Sequence, residues 1–127
     1  MSNLKILVVD DERDIESLFL QKFRREIHRG DLSFSFAFSG EEALSYMKEH
    51  ASEVVLILSD INMPGMSGLE LLKNIKENYV APPPVVMMVT AYGDEENRNT
   101  SKQLGADDFL TKPLDFNELK NKLKDLT

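Results

Sequence analysis

Val54 to Gly68 read VVLILSDINMPGMSG, a stretch with the pattern of a strand, a turn and the start of a helix. Val54 to Ser59 are almost all aliphatic and have no helical period, which is typical of a strand buried on both faces of a parallel sheet. Met63-Pro64-Gly65 predicts a turn, because Pro fixes φ and Gly accepts conformations that other residues avoid. Asp60 therefore lies at the carboxyl end of a predicted central strand, where ligands bind in open α/β sheets.

The role of Asp60 stays open on this segment alone. Ser67 and Glu70 match the S-x-x-E capping box, which predicts that a helix begins soon after the turn. The carboxylate of Asp60 could serve chemistry, or it could simply cap or turn the chain. Side chains at the ends of the other strands decide between these two interpretations.

Four further strands are predicted from runs of apolar or alternating residues. They are Leu4 to Val9, Ser33 to Phe38, Val85 to Thr90 and Asp107 to Leu110. The strand that begins at Ser33 has apolar residues at alternate positions, so we expect it at an edge of the sheet. Ala81 to Pro84 should form an extended lead-in, because successive prolines have no N–H donors for a sheet.

A helix is predicted after each strand. Apolar spacing or capping residues indicate helices from Arg13 to Arg29, from Ser39-Gly40-Glu41-Glu42 onward, from Ser67 to Asn78, from Asp94 to Gln103 and from Asp115 onward. The segment from Asp94 to Gln103 has no apolar side chain, so that helix should be weakly held. Strands that alternate with helices predict one α/β domain over residues 1–127, a doubly wound parallel sheet of five strands.

Composition excludes several classes of protein. The 127 residues contain no cysteine, which excludes disulfides and thiolate metal sites, and a net charge of −7 argues against direct binding of nucleic acid. No apolar stretch is long enough for a membrane helix and MSNLK is not a signal peptide, so we expect no membrane partner and a cytoplasmic location. His28 and His50 fall near predicted helix ends, where a solvated histidine is expected rather than a ligand pair.

Polar side chains follow the predicted strands, and the carboxyl ends of parallel strands lie at one edge. Asp10, Asp11, Asp60, Thr90 and Lys112 are therefore expected to converge. Three neighbouring carboxylates repel one another unless a cation joins them, and Mg²⁺ suits oxygen ligands with room for a phosphoryl oxygen. A lysine ammonium and a threonine hydroxyl suit a phosphoryl group. Each residue alone also has an ordinary structural interpretation, but the combination indicates a site.

Four motifs resemble the response regulator receiver domains of two-component signalling. They are VVDDE at residues 8–12, SDINMPGMSG at residues 59–68, VTAYG at residues 89–93 and GADDFLTKP at residues 105–113. The resemblance covers the whole chain. It implies the flavodoxin-like fold with strand order 2-1-3-4-5.

The resemblance also implies roles for individual residues at the phosphorylation site. Asp60 would be the phosphoacceptor and would bind Mg²⁺ directly together with Asp11. The backbone carbonyl of Asn62 would be a further ligand, whereas Asp10 would act mainly through water. Thr90 and Lys112 would bind the phosphoryl group.

Other positions would control switching and lifetime. Phe109 stands where the family has its aromatic switch residue, and it replaces the commoner tyrosine, so the ring has no hydroxyl. Thr90 would move toward the phosphoryl group and free space for Phe109. Asn62 and Tyr92 resemble the variable pair that tunes access of water to the acyl phosphate. Lys112-Pro113 should be a cis peptide, because this bond must turn the chain while the ammonium points at the site.

The expected function is a phosphorylation-dependent switch in a phosphorelay or two-component system. The phosphoryl donor would be a histidine kinase or a histidine phosphotransfer protein, and the domain would catalyse only its own phosphorylation and dephosphorylation. The surface formed by the helix from Asp94, the strand from Asp107 and the helix from Asp115 would then control an output domain or partner. The resemblance does not identify that partner.

Three alternatives are weaker. A phosphatase of the haloacid-dehalogenase type would need an acid two residues after the nucleophile, where this chain has Asn62. A nucleotide-binding module would need a glycine-rich fingerprint, whereas Gly65 and Gly68 are explained by the turn. An unphosphorylated docking module arises by loss of site residues, and every one of them is present.

Overall fold

The fold is a five-stranded parallel sheet with the strand order β2-β1-β3-β4-β5. The computed structural model describes residues 3–80 and 83–126. Every pair of neighbouring strands is parallel, which confirms the predicted architecture, strand order and edge position of the second strand. The strands are β1 Leu4–Val9, β2 Leu32–Ala37, β3 Leu56–Asp60, β4 Val85–Thr90 and β5 Asp108–Thr111.

The predicted boundaries of β1 and β4 are confirmed, whereas those of the other three strands were off by one or two residues. The strand predicted from Val54 to Ser59 is β3, which begins at Leu56 and includes Asp60. β2 begins and ends one residue before the predicted range, and β5 one residue after it. β4 begins at Val85 as predicted. The first half of the proline-rich lead-in, Ala81 and Pro82, lies outside the described residues.

Backbone register brings the ends of the central strands together. Asp60 pairs with Val89 across β3 and β4. The pairs Val9 with Ser59 and Thr90 with Thr111 hold the neighbouring strand ends level with it. The residues that follow β1 and β5 therefore emerge beside the end of β3.

In residues 3–80 and 83–126, six helices connect and cover the strands. They are α1 Asp14–Lys22, α2 Arg24–His28, α3 Gly40–His50, α4 Gly68–Asn78, α5 Glu95–Gln103 and α6 Phe116–Lys124. None of them, among the described residues, combines the length and the apolar character that a bilayer crossing requires.

The prediction of one continuous helix from Arg13 to Arg29 was wrong in detail. The backbone leaves helical geometry at Phe23, with φ −108° and ψ 18°, and this residue separates α1 from α2. The N–H of Phe23 still donates to the carbonyl of Phe19, and the N–H of Ile27 to that of Phe23. The apolar period continues through the break because all three side chains pack against the same core, so spacing alone does not reveal it.

Capping residues define where the later helices begin. The side chains of Ser39 and Ser67 accept the N–H groups of Glu42 and Glu70, at 3.0 and 3.2 Å. Asp94 and Asp115 cap α5 and α6 in the same way. The helix starts predicted from these residues are confirmed, since a side-chain acceptor at the N-cap satisfies backbone donors that the helix itself leaves free.

The core lies on both faces of the sheet. Side chains alternate along each strand, so Leu56 and Leu58 face α1, α2 and α6, whereas Ile57 faces α3 and α4. Aromatic rings fill the first face around Phe19 and Phe23, whose ring centroids are 5.9 Å apart. Phe34, Phe36 and Phe116 surround this pair.

Helix α5 is the least anchored of the longer helices. Among its residues, all of which are described, Ser101 alone is fully buried, and its hydroxyl donates to the carbonyl of Asn97 at 2.9 Å. In contrast, α4 buries Leu71, Leu72 and Ile75. The polar composition that predicted a weakly held helix therefore corresponds to few apolar contacts in the structure.

Replacement of Phe23 should destabilise the domain strongly. F23A removes a ring that is 0% exposed and leaves a cavity, so we expect a loss of about 3 to 5 kcal/mol in the free energy of unfolding. L20A on the same helical segment is the control, since Leu20 is 43% exposed and its loss should cost less than about 1 kcal/mol. Urea unfolding measures both. Equal effects of the two variants would contradict the central position of Phe23.

Candidate functional site

Three carboxylates meet at the carboxyl edge of the sheet. Asp60 is the last residue of β3, and Asp10 and Asp11 follow β1 directly. One carboxylate oxygen from each of the three lies within 4.8 Å of the others. Asp10 and Asp60 are 8% and 5% exposed, whereas Asp11 is exposed. The predicted convergence of these aspartates is present in the structure.

Lys112 reaches this cluster from the end of β5. Its Nζ donates to Oδ2 of Asp60 at 2.7 Å, and its backbone N–H donates to the carbonyl of Thr90 at 2.8 Å. The Lys112-Pro113 peptide is cis, as the sequence predicted. The ammonium is thus held beside Asp60 by a side-chain contact and by the backbone of the neighbouring strand.

Burial and neighbouring charges shift the pKa values of Asp10 and Lys112. Burial raises the pKa of Asp10, and the negative charge of Asp60 acts in the same direction against the hydrogen bond from the N–H of Glu12. Burial alone would lower the pKa of Lys112, but its hydrogen bond and charge interaction with Asp60 outweigh this, so the pKa is raised. Burial is thus the main cause of the shift at Asp10, and the contact with Asp60 is the main cause of the shift at Lys112.

The donor set fits a hard divalent cation. The three aspartates offer oxygen atoms only, close enough for one ion to contact each of them. Mg²⁺ and Ca²⁺ prefer such ligands, and Mg²⁺ is commonly bound by one or two carboxylates with waters and a phosphate oxygen. Burial is the main cause of the raised pKa of Asp10, and a cation would offset the smaller contribution from the negative charge of Asp60.

Thr90 ends β4 next to the end of β3, and its side chain lies on the same face of the sheet as that of Phe109. Thr90 is buried at the end of β4, and its hydroxyl donates to the carbonyl of Leu110 at 3.4 Å, which is long for such a bond. Met88 pairs with Phe109, and Thr90 lies two residues beyond Met88, so strand alternation places Thr90 and Phe109 on one face. Phe109 is half-buried against the core on that side.

Asn62 and Tyr92 lie in the loops beyond β3 and β4. Asn62 is exposed, and Tyr92 is 90% exposed. The structure shows where these side chains lie, and their assigned effect on phosphoryl lifetime stays a prediction. The same holds for the backbone carbonyl of Asn62 as a metal ligand.

Gly68 has a role that the sequence did not indicate. A Cβ at this position would overlap the carbonyl oxygen of Asp60 and come within 2.7 Å of the Cα of Ile61. The N–H of Gly68 donates to the carbonyl of Ile61 at 2.8 Å. The first residue of α4 therefore supports the backbone that carries Asp60. The available signal was a glycine at the first helical position, where helix propensity gives no reason for it.

A cavity of about 270 Å³ adjoins Asp60 and Lys112 between α1 and the segment before α6. Most of its walls are apolar, with Leu18 and Phe19 from α1 and Phe116 from α6. Its charged lining residues are Asp10, Glu12, Asp60 and Lys112. The cavity therefore joins apolar side chains to charged groups of the site.

Comparison with known proteins agrees with this geometry. The family model described as "Response regulator receiver domain" matches residues 6–124. Sporulation initiation phosphotransferase F of Bacillus subtilis is 36% identical over 127 residues, which cover 98% of this chain and 94% of that protein. Transcriptional regulatory protein CpxR of Escherichia coli is 36% identical over 115 residues, which cover 91% of this chain and 45% of that protein.

A solved structure also matches. The crystal structure of a response regulator from Chloroflexus aurantiacus superposes with a TM-score of 0.84 at 26% identity, and covers 98% of this chain and 97% of that one. The chain spans about half the length of CpxR. From the family match and these relatives, we conclude that the chain belongs to the response regulator receiver domains of two-component systems.

Proposed function

We propose that Asp60 accepts a phosphoryl group from the phosphohistidine of a partner kinase or phosphotransfer protein and that the domain acts as a switch. The observation that carries this proposal is the position of the Asp60 carboxylate. It is buried among two further aspartates and lies 2.7 Å from the Lys112 ammonium. This arrangement suits the transfer of an anionic group, because positioning and charge neutralisation account for most of the catalysis of phosphoryl transfer.

The transfer exchanges one bond to phosphorus for another. A carboxylate oxygen of Asp60 attacks the phosphorus atom, the P–O bond forms, and the P–N bond to the donor imidazole breaks with its electron pair on nitrogen. The Lys112 ammonium is placed to hold a phosphoryl oxygen, and the Thr90 hydroxyl can leave its 3.4 Å contact with Leu110 to donate to another. Attack of water on the acyl phosphate reverses the modification and gives inorganic phosphate.

Mg²⁺ is the cofactor that we propose for this site. Asp11 and Asp60 would bind it directly, the backbone carbonyl of Asn62 would complete the protein ligands, and Asp10 would act through water. The bound ion would neutralise the carboxylates and the incoming phosphoryl oxygens. The cluster of aspartate oxygens supports this assignment.

The family and the relatives support the phosphoryl donors that we propose. One relative is named a phosphotransferase, and the other a transcriptional regulatory protein. We assign a histidine kinase or a histidine phosphotransfer protein as the phosphoryl donor. The domain has no free small-molecule substrate in this scheme, and catalyses only its own modification and its reversal.

The output surface that we propose combines α5, β5 and α6. Lys122 of α6 contacts Asp108 of β5 at 2.8 Å, so this helix and strand are joined by an ion pair. α5 lies beside β5 with few apolar anchors, and it therefore opens at low free energy. Movement of Thr90 at the end of β4 would reach this surface through Phe109.

Asp60 should be the sole acceptor, and its modification should require Mg²⁺. Incubation with acetyl phosphate or phosphoramidate should add one phosphoryl group, read by intact mass, and EDTA should abolish the addition. D60N should not be labelled, because an amide cannot attack phosphorus as the carboxylate of Asp60 does. D107N is the control, since Asp107 contacts Lys76 at the other end of β5. Undiminished labelling of D60N would rule out this assignment.

Tyr92→Ala should shorten the half-life of the phosphorylated domain. An exposed ring can fold over the phosphoryl group without breaking core contacts, and its removal should admit water to the acyl phosphate. Decay of the phosphorylated mass after removal of the donor measures this. V80A, at another exposed apolar side chain, is the control. An unchanged decay rate would mean that Tyr92 remains in solvent.

Amide hydrogen exchange should locate the output surface. Beryllofluoride with Mg²⁺ imitates the phosphoryl group, and we expect protection to change most between Ala91 and Phe109, which includes α5. The reason is that α5 has the fewest buried apolar contacts among the long helices. Exchange within α4 is the internal control. A change confined to the loops that touch the ligand would disprove this surface.

A further inference from the structure

Arg98 covers the ring of Phe109. The guanidinium carbon of Arg98 lies 5.1 Å from the centroid of the ring, so a side chain of α5 is placed over a side chain of β5. Arg98 is exposed, whereas Phe109 is half-buried. The guanidinium therefore lies on the solvent side of the ring in this structure.

Phenylalanine can make a cation–π contact, in which a cation lies over the face of its ring. Without a hydroxyl, the ring of Phe109 has no conventional hydrogen bond that could hold it in place. A guanidinium attracts the negative face of an aromatic ring, and at exposed sites the contact changes an equilibrium by roughly two- to fivefold. Arg98 can thus take over part of the anchoring that a hydroxyl would supply.

The carboxylate of Asp108 is close enough to this guanidinium for their charges to interact. The charge of Arg98 contributes to lowering the pKa of the Asp108 carboxyl, although burial acts against it and the hydrogen bond from Lys122 lowers it more. The other oxygen of Asp108 accepts the backbone N–H of Phe109 at 2.8 Å. Arg98 therefore lies where it can interact with the carboxylate of one residue of β5 and the ring of the next.

We infer that Arg98 is a positioning residue that holds Phe109 in its half-buried place and opposes the inward turn of the ring toward Thr90. An inward turn takes the ring away from the surface, and with it from the exposed guanidinium. Release of Arg98 also removes a contact between β5 and α5, which is already weakly anchored. This inference rests on the proposed function, because it assigns Arg98 an influence on the equilibrium that phosphorylation shifts.

The test is the dissociation constant of beryllofluoride in the presence of Mg²⁺, measured by fluorine NMR of the bound and free ligand. R98Q should tighten binding about two- to fivefold, because the unliganded resting position loses its cation–ring contact. R98K retains a cation, so its dissociation constant should be close to that of the original protein. K102Q removes a positive charge from the same helix, and should leave the dissociation constant unchanged.

A double-mutant cycle separates positioning from charge. In the F109L background, R98Q should have no effect on the dissociation constant, since leucine offers no ring for the guanidinium. F109M serves in place of F109L if the leucine variant does not fold. Equal tightening by R98Q with and without the ring, equal tightening by K102Q, or no effect of R98Q would each overturn the role of Arg98. Absence of beryllofluoride binding by the original protein would instead overturn the proposed function, and this inference with it.

Discussion

The site depends on negative charge that is held at the carboxyl edge of the sheet and only partly neutralised. Asp10 and Asp60 are nearly buried, and burial, together with the nearby negative charge of Asp60, raises the pKa of Asp10. The Lys112 ammonium compensates part of this charge through its 2.7 Å contact with Asp60. A lysine is a flexible point charge, so the same ammonium can move its hydrogen bond to an incoming phosphoryl oxygen. The resting ion pair and the proposed transfer therefore use one cation, and the remaining negative charge favours a divalent ion.

Backbone contacts keep these charges in register. The parallel pairing places the ends of β1, β3, β4 and β5 level, and a slip of one residue would turn every side chain of a strand to the other face. The N–H of Lys112 is bonded to the carbonyl of Thr90, and Gly68 allows α4 to approach the backbone at Asp60. The site is thus assembled from short segments that the sheet positions before any ligand binds, which is the condition for catalysis by positioning.

Much of this arrangement could be predicted because it follows local rules. Apolar runs that end in Asp60 or Thr90 indicate strand ends, and Ser39 and Ser67 indicate helix starts. The break at Phe23 could not be predicted, because the apolar spacing is the same on both sides of it. The constraint on Gly68 and the contact between Arg98 and Phe109 also escaped the sequence, since each arises from residues that approach one another only in the folded chain. The roles proposed for the site residues come from the family resemblance and not from these local rules.

A small displacement at Thr90 can change a distant surface only if a nearby helix or strand has two arrangements of similar free energy. α4 is a poor candidate, because its buried leucines would have to leave a close-packed core. α5 buries Ser101 and no apolar side chain among its nine residues, so moving it requires little free energy. Phe109 has no hydroxyl, so its ring can turn inward without burying a polar group. This also lowers the free energy that the rearrangement requires. Arg98 opposes both effects from the surface. In the proposed switch, these opposing contributions would set the fraction of molecules in the active arrangement before phosphorylation, and the contribution of Arg98 corresponds to a change of about two- to fivefold.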